Sequence, residues 1–320
     1  MSRKILVTGG AGFIGANYVE FHFNKYPEDE IVVLDKLTYA GRLENLQEFE
    51  ANKNFSFIRG DICDKSIVEK AVSDVDVIIH FAAETHVDRS IQGQAEFLET
   101  NILGTYNLLE AAKNSNVERF IQIGTDEVYG SVESGSSKES DELKPRNPYS
   151  ASKAAADRLA YSYYCTYDLP VIMTRASNNF GPKQFPEKII PLFITNLLQG
   201  KKVPLYGDGK NVRDWLYVMD HCAGIDLILE RGRLGEVYNI GGNCELKNIE
   251  LTKMILKELD LPETMIEFVK DRPGHDRRYS LDSSKLQALG WKPKFEFSTA
   301  LKQTIEWYKN NEWWWKPLKK

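Results

Sequence analysis

Lys4-Ile-Leu-Val-Thr-Gly-Gly-Ala-Gly-Phe-Ile-Gly15 is the stretch on which the fold turns. Residues 4 to 8 are a short β-favouring run with an apolar centre, and the glycines end it abruptly. Tyr18, Val19, Phe21 and Phe23 then carry the helix that this turn opens. Gly10, Gly12 and Gly15 satisfy G-x-G-x-x-G. The first is expected to make a tight turn, the second to let backbone approach a pyrophosphate, and the third to pack helix on strand. The N–H groups at the helix start, with the dipole behind them, attract that anion. Glycine-rich turns are common by themselves. This one gains weight from Ile31-Val-Val-Leu-Asp35, a second buried strand ending in an acid twenty residues after Gly15. A carboxylate there holds the adenosine ribose of NAD and repels the extra phosphate of NADP. NAD is therefore the expected cofactor, with Lys36 and Arg42 as the residues that speak for NADP.

Outward from this unit, the pattern repeats. Residues 55–59 and 75–80 read as strands, and the segments around 67–72 and 95–114 as helices. Next come a strand at 120–123, a helix at 149–167 and a sixth strand at 171–174. Such alternation predicts the α/β class, as a Rossmann-type doubly wound parallel sheet covered on both faces. Asp61 and Ile62 follow the third strand, and Phe81-Ala-Ala-Glu-Thr85 the fourth, so both turns face the crevice beyond the strand ends. Small Ala82 and Ala83 suit a close approach to the adenosine–ribose part, or simple packing. Beyond Arg175 the alternation loosens into the turn-rich Ala176-Ser-Asn-Asn-Phe-Gly-Pro182, with a helix at Ile189–Leu198. The expected division is a NAD-binding domain of residues 1–175, to which 214–243 return. A smaller C-terminal α/β substrate domain takes 176–213 and 244–320.

Ile121-Gln-Ile-Gly-Thr-Asp-Glu-Val-Tyr-Gly130 carries the most chemistry. A strand marked by Phe120 and two isoleucines gives way at Gly124 to a hydroxyl and two carboxylates, Thr125, Asp126 and Glu127. Two neighbouring acids can be held in different protonation states, one as acid and one as base. A lone Asp-Glu pair is otherwise an acidic surface turn. What argues for more is Tyr149-Ser-Ala-Ser-Lys153: at i and i+4 of a helix, phenol and ammonium share one face. An ammonium beside a phenol favours the phenolate, which predicts a lowered Tyr149 pKa and a usable base. Later in the chain Lys188, Arg213, Arg272, His275, Arg277 and Arg278 gather basic and polar groups. Arginine's fork suits a diphosphate, although a solvated basic loop has the same composition. Trp313-Trp-Trp315 reads as packing or a contact surface.

Composition bounds the rest. Of 320 residues, 42% are hydrophobic and 27% charged, as in an ordinary globular enzyme. A net charge of −5 argues against a nucleic-acid surface. Cys63, Cys165, Cys222 and Cys244 lack metal-type spacing and read as reduced thiols, so no metal is expected. No apolar run approaches membrane-spanning length, and the start of the sequence lacks a signal-peptide core. The expected compartment is the cytoplasm.

Thr8-Gly-Gly-Ala-Gly-Phe-Ile-Gly15, Gly124-Thr-Asp-Glu-Val-Tyr-Gly130 and Tyr149-x-x-x-Lys153 together resemble the extended short-chain dehydrogenase/reductase superfamily. Within it, the acid pair, Phe81-Ala-Ala-Glu-Thr-His-Val-Asp-Arg-Ser90 and Arg272-Pro-Gly-His-Asp276 are most similar to the dTDP-glucose 4,6-dehydratases, from the first strand to about Tyr308. The resemblance implies oxidation of dTDP-glucose at carbon 4, with Tyr149 and Lys153 taking the hydroxyl proton and Thr125 bonding that oxygen. Glu127 would then take the carbon 5 proton, Asp126 would protonate the departing 6-hydroxyl, and hydride would return to carbon 6. It also implies a place in deoxysugar synthesis of the dTDP-rhamnose type. By the same resemblance Gly9, Gly12, Phe13, Ile14, Gly15, Asp35, Lys36, Leu37, Thr38, Asp61, Ile62, Phe81, Ala82, Ala83, Thr85, Thr100, Tyr149, Lys153 and Asn179 hold NAD. Thr85, Thr125, Asn178, Lys188, Ile189, Pro204, Leu205, Tyr206, Arg213, Asn248, Arg272 and His275 would hold the nucleotide sugar. Gly124 departs from the family, which usually has serine there, and the 131–147 segment is short. A homodimer through helices at 95–114 and 149–167 is expected on the same basis. Two rivals stand beside this reading. A UDP-sugar 4-epimerase or decarboxylase shares Tyr149 and Lys153 without needing the acid pair. A non-catalytic NAD-binding protein would typically have that Tyr/Lys pair broken.

Overall fold

In the structure, a computed structural model describing residues 2–271 and 274–319, Ile5 and Val7 pack into one core and Leu6 into another. Ile31 and Val33 join the first, Val32 and Leu34 the second. Alternate residues of a strand point to opposite faces, so both faces of this sheet are covered and its strands read as unbroken apolar runs. The strands are β1 (Lys4–Thr8), β2 (Glu30–Asp35), β3 (Phe55–Arg59), β4 (Val77–His80), β5 (Arg119–Thr125) and β6 (Val171–Ala176). Three short strands follow, β7 (Asn178–Phe180), β8 (Val203–Tyr206) and β9 (Val212–Tyr217). Then β10 (Val237–Ile240) pairs with β6 and completes a seven-stranded sheet of order β10-β6-β5-β4-β1-β2-β3. All its pairings are parallel. The order reverses between β1 and β4, which is where such sheets open a ligand crevice.

The helices cover that sheet. α1 (Phe13–Lys25) follows the glycine turn, α2 (Lys65–Val72) joins β3 to β4, and α3 (Val87–Gln92) leaves β4. The segment expected as one helix at 95–114 is α4 (Ala95–Leu98), a π-helical turn at Glu99–Gly104, and α5 (Thr105–Lys113). Tertiary contacts favour the wider turn. Asn101 is buried within it, accepts from Glu84 N at 2.8 Å and donates to Ser152 Oγ at 2.8 Å. A Cβ on Gly104 would lie 2.4 Å from Ile62 Cδ1. Such π turns recur at functional sites, and Thr100 lies in this one. α6 (Pro148–Tyr167) starts at a capping box formed by Asn147 and Ser150, with proline in its first turn.

After β6 the chain forms a smaller part. α7 (Ile189–Leu198) leads to β8, which pairs with β12 (Ile266–Val269), while β9 lies between β7 and β11 (Glu245–Lys247). α8 (Val218–Arg231) returns across the main sheet and packs on α1. α9 (Asn248–Glu258) follows β11. At the far end Trp314 and Trp315 are buried, and Trp314 Nε1 donates to Asn45 Oδ1 at 2.8 Å. Asn45 in turn donates to the Ala11 carbonyl in the glycine turn, so the tryptophans pack behind that turn.

Candidate active site

The glycine turn works differently from the expected assignment. The residue whose backbone demands glycine is Gly9, at φ +70°, where a Cβ would also sit 2.6 Å from Ala82 N. Gly10 lies against the Val33 methyls instead of making the tight turn. At Gly15 a Cβ would meet the Gly9 carbonyl oxygen at 2.4 Å, so helix and strand are as close as the motif suggests. Gly12 is the N-cap of α1 and brings no side chain of its own to the cap. An anion at this helix start would meet N–H groups with no side chain in between.

Asp35 is buried at the end of β2. Its Oδ2 accepts from Ala11 N at 3.0 Å and its Oδ1 from Leu37 N at 2.8 Å. Burial raises its pKa, and those two N–H groups pull it back. A carboxylate offers about four lone-pair sites, so capacity remains for ribose hydroxyls. Both residues that spoke for NADP are engaged elsewhere. Lys36 Nζ pairs with Asp61 at 2.6 Å, while Arg42 bonds Glu44 at 2.7 Å and stacks on Trp314. The residues present thus fit NAD.

At the other side of the crevice, β5 ends at Thr125, whose hydroxyl accepts from Glu127 N at 3.3 Å and caps the short 3₁₀ turn Asp126–Tyr129. That turn buries Asp126 and leaves Glu127 half-buried. Thr125 Oγ1 donates to Asp126 Oδ1 at 3.3 Å, and among the described residues Asp126 Oδ2 has no partner. Burial lifts the Asp126 pKa well above the carboxylate range; Glu127 and Asp214 add to the rise, and Arg213 opposes it. Asp126 is thereby held as a neutral acid. Glu127 Oε2 accepts from Asn147 Nδ2 at 3.4 Å.

Helix α6 places Tyr149 and Lys153 on one face, both buried. Burial draws the Lys153 pKa down to about 8, and Nζ donates to the Ile123 carbonyl of β5 at 2.7 Å. The expected fall in the Tyr149 pKa is reversed. Burial raises it, Glu127 and Asp126 add to the rise, and only the Thr125 hydroxyl opposes. The physical reason is burial first and the two carboxylates second, while the Lys153 ammonium is engaged by a strand carbonyl. Gly124 has a local explanation as well, since a Cβ there would lie 2.3 Å from the Thr174 carbonyl oxygen of β6.

One cavity of about 470 Å³ is lined by both groups. Gly9, Gly12 to Gly15, Asp35, Lys36, Thr38, Asp61, Ile62, Phe81 to Ala83, Thr85 and Thr100 meet Thr125 to Glu127, Tyr149 and Lys153 on its wall. Asn178, Asn179, Lys188, Ile189, Pro204 to Tyr206, Arg213, Asn248 and His275 line it from the later part of the chain. Leu37 does not; its side chain packs on the core and its contribution is the backbone N–H to Asp35. Arg277 and Arg278 also lie off the wall, bound to Asp208 at 2.9 Å and Glu245 at 2.7 Å. Arg272 lies outside the described residues. Arg213 donates to the Asp276 carbonyl at 3.0 Å and stacks over the Tyr279 ring.

The profile of the GDP-mannose 4,6 dehydratase family matches residues 6–304. The chain belongs to that family. It is 51% identical to a dTDP-glucose 4,6-dehydratase of an Actinoplanes species, over 98% of this chain and 99% of the relative. Identity is also 51% to the low-salt glycan biosynthesis protein Agl12 of Haloferax volcanii, covering 95% and 98%. Among solved structures, a double mutant of DesIV, a dTDP-glucose 4,6-dehydratase of Streptomyces venezuelae with NAD bound, superposes at a TM-score of 0.97. Its identity is 50%, over 98% of this chain and 99% of that one.

In this member of the GDP-mannose 4,6 dehydratase family, the wall includes residues that sequence reasoning missed: His86, Phe185, Glu187, Trp215, His221 and Tyr279. Phe185 and Glu187 lie just before Lys188, and a charged pair ahead of an apolar helix was the available signal. Tyr279 follows the basic cluster directly. Nothing local marks His221, which reaches the wall because α8 packs on α1.

Proposed function

We propose that this chain is a dTDP-glucose 4,6-dehydratase, an NAD-dependent hydro-lyase that forms dTDP-4-keto-6-deoxyglucose and water. The observation that carries the reading is the acid pair: Asp126 is held neutral beside the half-buried Glu127, over Tyr149 and Lys153. Tyr149 takes the proton of the sugar 4-hydroxyl as a phenolate, and Thr125 bonds that oxygen. The Lys153 ammonium would favour that form when turned from the Ile123 carbonyl toward the phenol. Glu127 removes the carbon 5 proton that the new ketone acidifies, and returns a proton to carbon 5 when hydride reaches carbon 6. Asp126, already protonated, gives its proton to the leaving 6-hydroxyl. When bound, NAD supplies a store for the hydride between carbon 4 and carbon 6, so no reductant is consumed. Gly9, Gly12, Gly15 and Asp35 hold the dinucleotide, and Arg213, Lys188 and His275 hold the nucleotide sugar. A 4-epimerase of the same fold has no step that uses a second, protonated acid.

The same reading assigns residues 1–175 and 214–243 to NAD, and 176–213 and 244–320 to the sugar nucleotide. It makes the protein a homodimer. Leu98, Leu103 and Tyr106, with Tyr161 and Tyr167 of α6, are exposed on the helices expected to pair. The compartment is the cytoplasm, supported by four free cysteines; among the described residues no helix is long and apolar enough to cross a membrane. The deciding experiment is incubation with dTDP-glucose and UDP-glucose separately, followed by mass spectrometry. Loss of one water from dTDP-glucose is expected, and no loss from either sugar nucleotide overturns the assignment.

A further inference from the structure

Three loops that frame the cavity meet in one small cluster. Tyr39 lies between Thr38 and Ala40 after β2, and those neighbours line the wall. Its hydroxyl donates to Glu187 Oε1 at 2.8 Å. Burial, with the Glu187 carboxylate beside it, raises the phenol pKa, so the hydroxyl remains a donor. The Arg89 guanidinium lies 3.6 Å from the centre of the Tyr39 ring, and Phe185 meets that ring edge-on at 5.2 Å. From the loop after β4, His86 Nδ1 accepts from Arg89 N at 3.3 Å. Neutral His86 therefore carries its proton on Nε2, which faces Glu187 Oε2 at 3.7 Å. Lys188 Nζ donates to the Thr85 carbonyl at 2.9 Å.

These contacts join sequence regions far apart: residue 39 beside Asp35, residues 85–89, and residues 185–188 beyond the main sheet. The β2 loop belongs to the NAD end of the cavity, and Glu187 and Lys188 to the part of the wall added after β6. A dehydratase that stores hydride on its own dinucleotide fails whenever the reduced form escapes before the hydride returns. Retention is thus a requirement of the reaction, distinct from affinity for the sugar.

We infer that Tyr39 is a positioning residue that straps the β2 loop to Glu187 and keeps NAD from exchanging during turnover. Opening the cavity between these loops breaks a hydrogen bond to a carboxylate and unstacks Arg89 from the ring. Tyr39→Phe keeps the ring and its stacking while deleting the donor. A hydrogen bond to a charged group corresponds to on the order of tenfold to a hundredfold in an opening equilibrium. NAD exchange should accelerate by that factor.

The inference rests on the NAD reading, and the test separates the two. Holoenzyme is chased with excess isotopically labelled NAD, and bound cofactor is followed by mass spectrometry for parent, Tyr39→Phe, Glu187→Ala and the double variant. The expected result is faster exchange in both single variants, with the double variant no faster than Glu187→Ala. Thermal unfolding of NAD-stripped protein should remain within a few degrees for Tyr39→Phe, which a purely structural role would not leave unchanged. Exchange at the parent rate in Tyr39→Phe overturns the strap. Additive acceleration in the double variant overturns it too, because the side chains would then act separately. A parent protein that binds no NAD overturns the strap and the cofactor reading together.

Discussion

Lys153→Met should make the protein more stable and nearly inactive. The lysine is buried, and burial draws its pKa from 10.5 to about 8. That drop of about 2.5, at about 1.36 kcal/mol for each, places about 3 kcal/mol of penalty on the charged form in the folded state. Methionine fills similar space without the charge. Losing the bond to the Ile123 carbonyl offsets about 1.5 kcal/mol, the lower figure for a hydrogen bond to a charged group. A net gain of about 2 kcal/mol at pH 7 remains, or about 3 °C in Tm for a chain of this size. The sign with pH follows from linkage. A group whose folded pKa is depressed contributes stability above its unfolded value, and loses it as pH falls through the folded one. Parent stability should therefore rise between about pH 8 and 10.5 relative to the variant, and the two curves should cross between about pH 9 and 10, where the remaining penalty equals the bond that methionine cannot make. Circular dichroism melts of NAD-stripped protein across that window measure it. A variant less stable than the parent at pH 7, or a gap that stays constant to pH 10.5, would refute the reasoning and mean that the ammonium is effectively solvated.

Tyr149→Phe removes the base for the first step, so single-turnover formation of bound NADH should fall by about a hundredfold or more; a smaller loss would point to another base. Asp35→Ala should weaken NAD by on the order of tenfold to a hundredfold, from bonds to a charged group, without changing dTDP affinity by calorimetry. Glu127→Gln should oxidise the sugar and stall, with NADH absorbance persisting and no water lost, and wild type in heavy water should place deuterium at carbon 5. Rapid dehydration by Glu127→Gln would reject that base.

Features fixed by short-range spacing were legible. The unbroken apolar run before the glycines, the acid at residue 35 and the i, i+4 pair of Tyr149 and Lys153 all lie within one strand, turn or helix. Features decided by remote packing were not. Gly9, Gly10, Gly12 and Gly15 fit glycine motifs in more than one way, and only the backbone angle at Gly9 shows which residue turns. The residues of 95–114 are helix-compatible throughout, so the π turn came from Asn101 finding Glu84 and Ser152. The direction of the Tyr149 pKa depends on burial that includes Phe97, fifty-two residues earlier, and on the carboxylates of Glu127 and Asp126. His221 reaches the wall from a segment with no pattern of its own.

The adjacency of Asp126 and Glu127 serves more than proximity to the sugar. After burial, Glu127 is among the groups that raise the Asp126 pKa, so the charge on the one carboxyl bears on the proton held by the other. In the proposed cycle Glu127 gains a proton from carbon 5, and with that its repulsion on Asp126 vanishes. Asp126 becomes a stronger acid at the step in which it must give its proton to the 6-hydroxyl. The pair carries one negative charge before and after, so no net charge has to be created in a buried site, where doing so is costly. Asp126→Asn breaks this exchange on one side only. Glu127 could still accept the carbon 5 proton, but nothing beside it could then deliver one. Stepwise elimination would show exchange at carbon 5 outrunning water loss in Asp126→Asn. If both are suppressed in the same proportion, proton removal and proton delivery occur in one step, and the coupling of the two carboxyls is the reason they can.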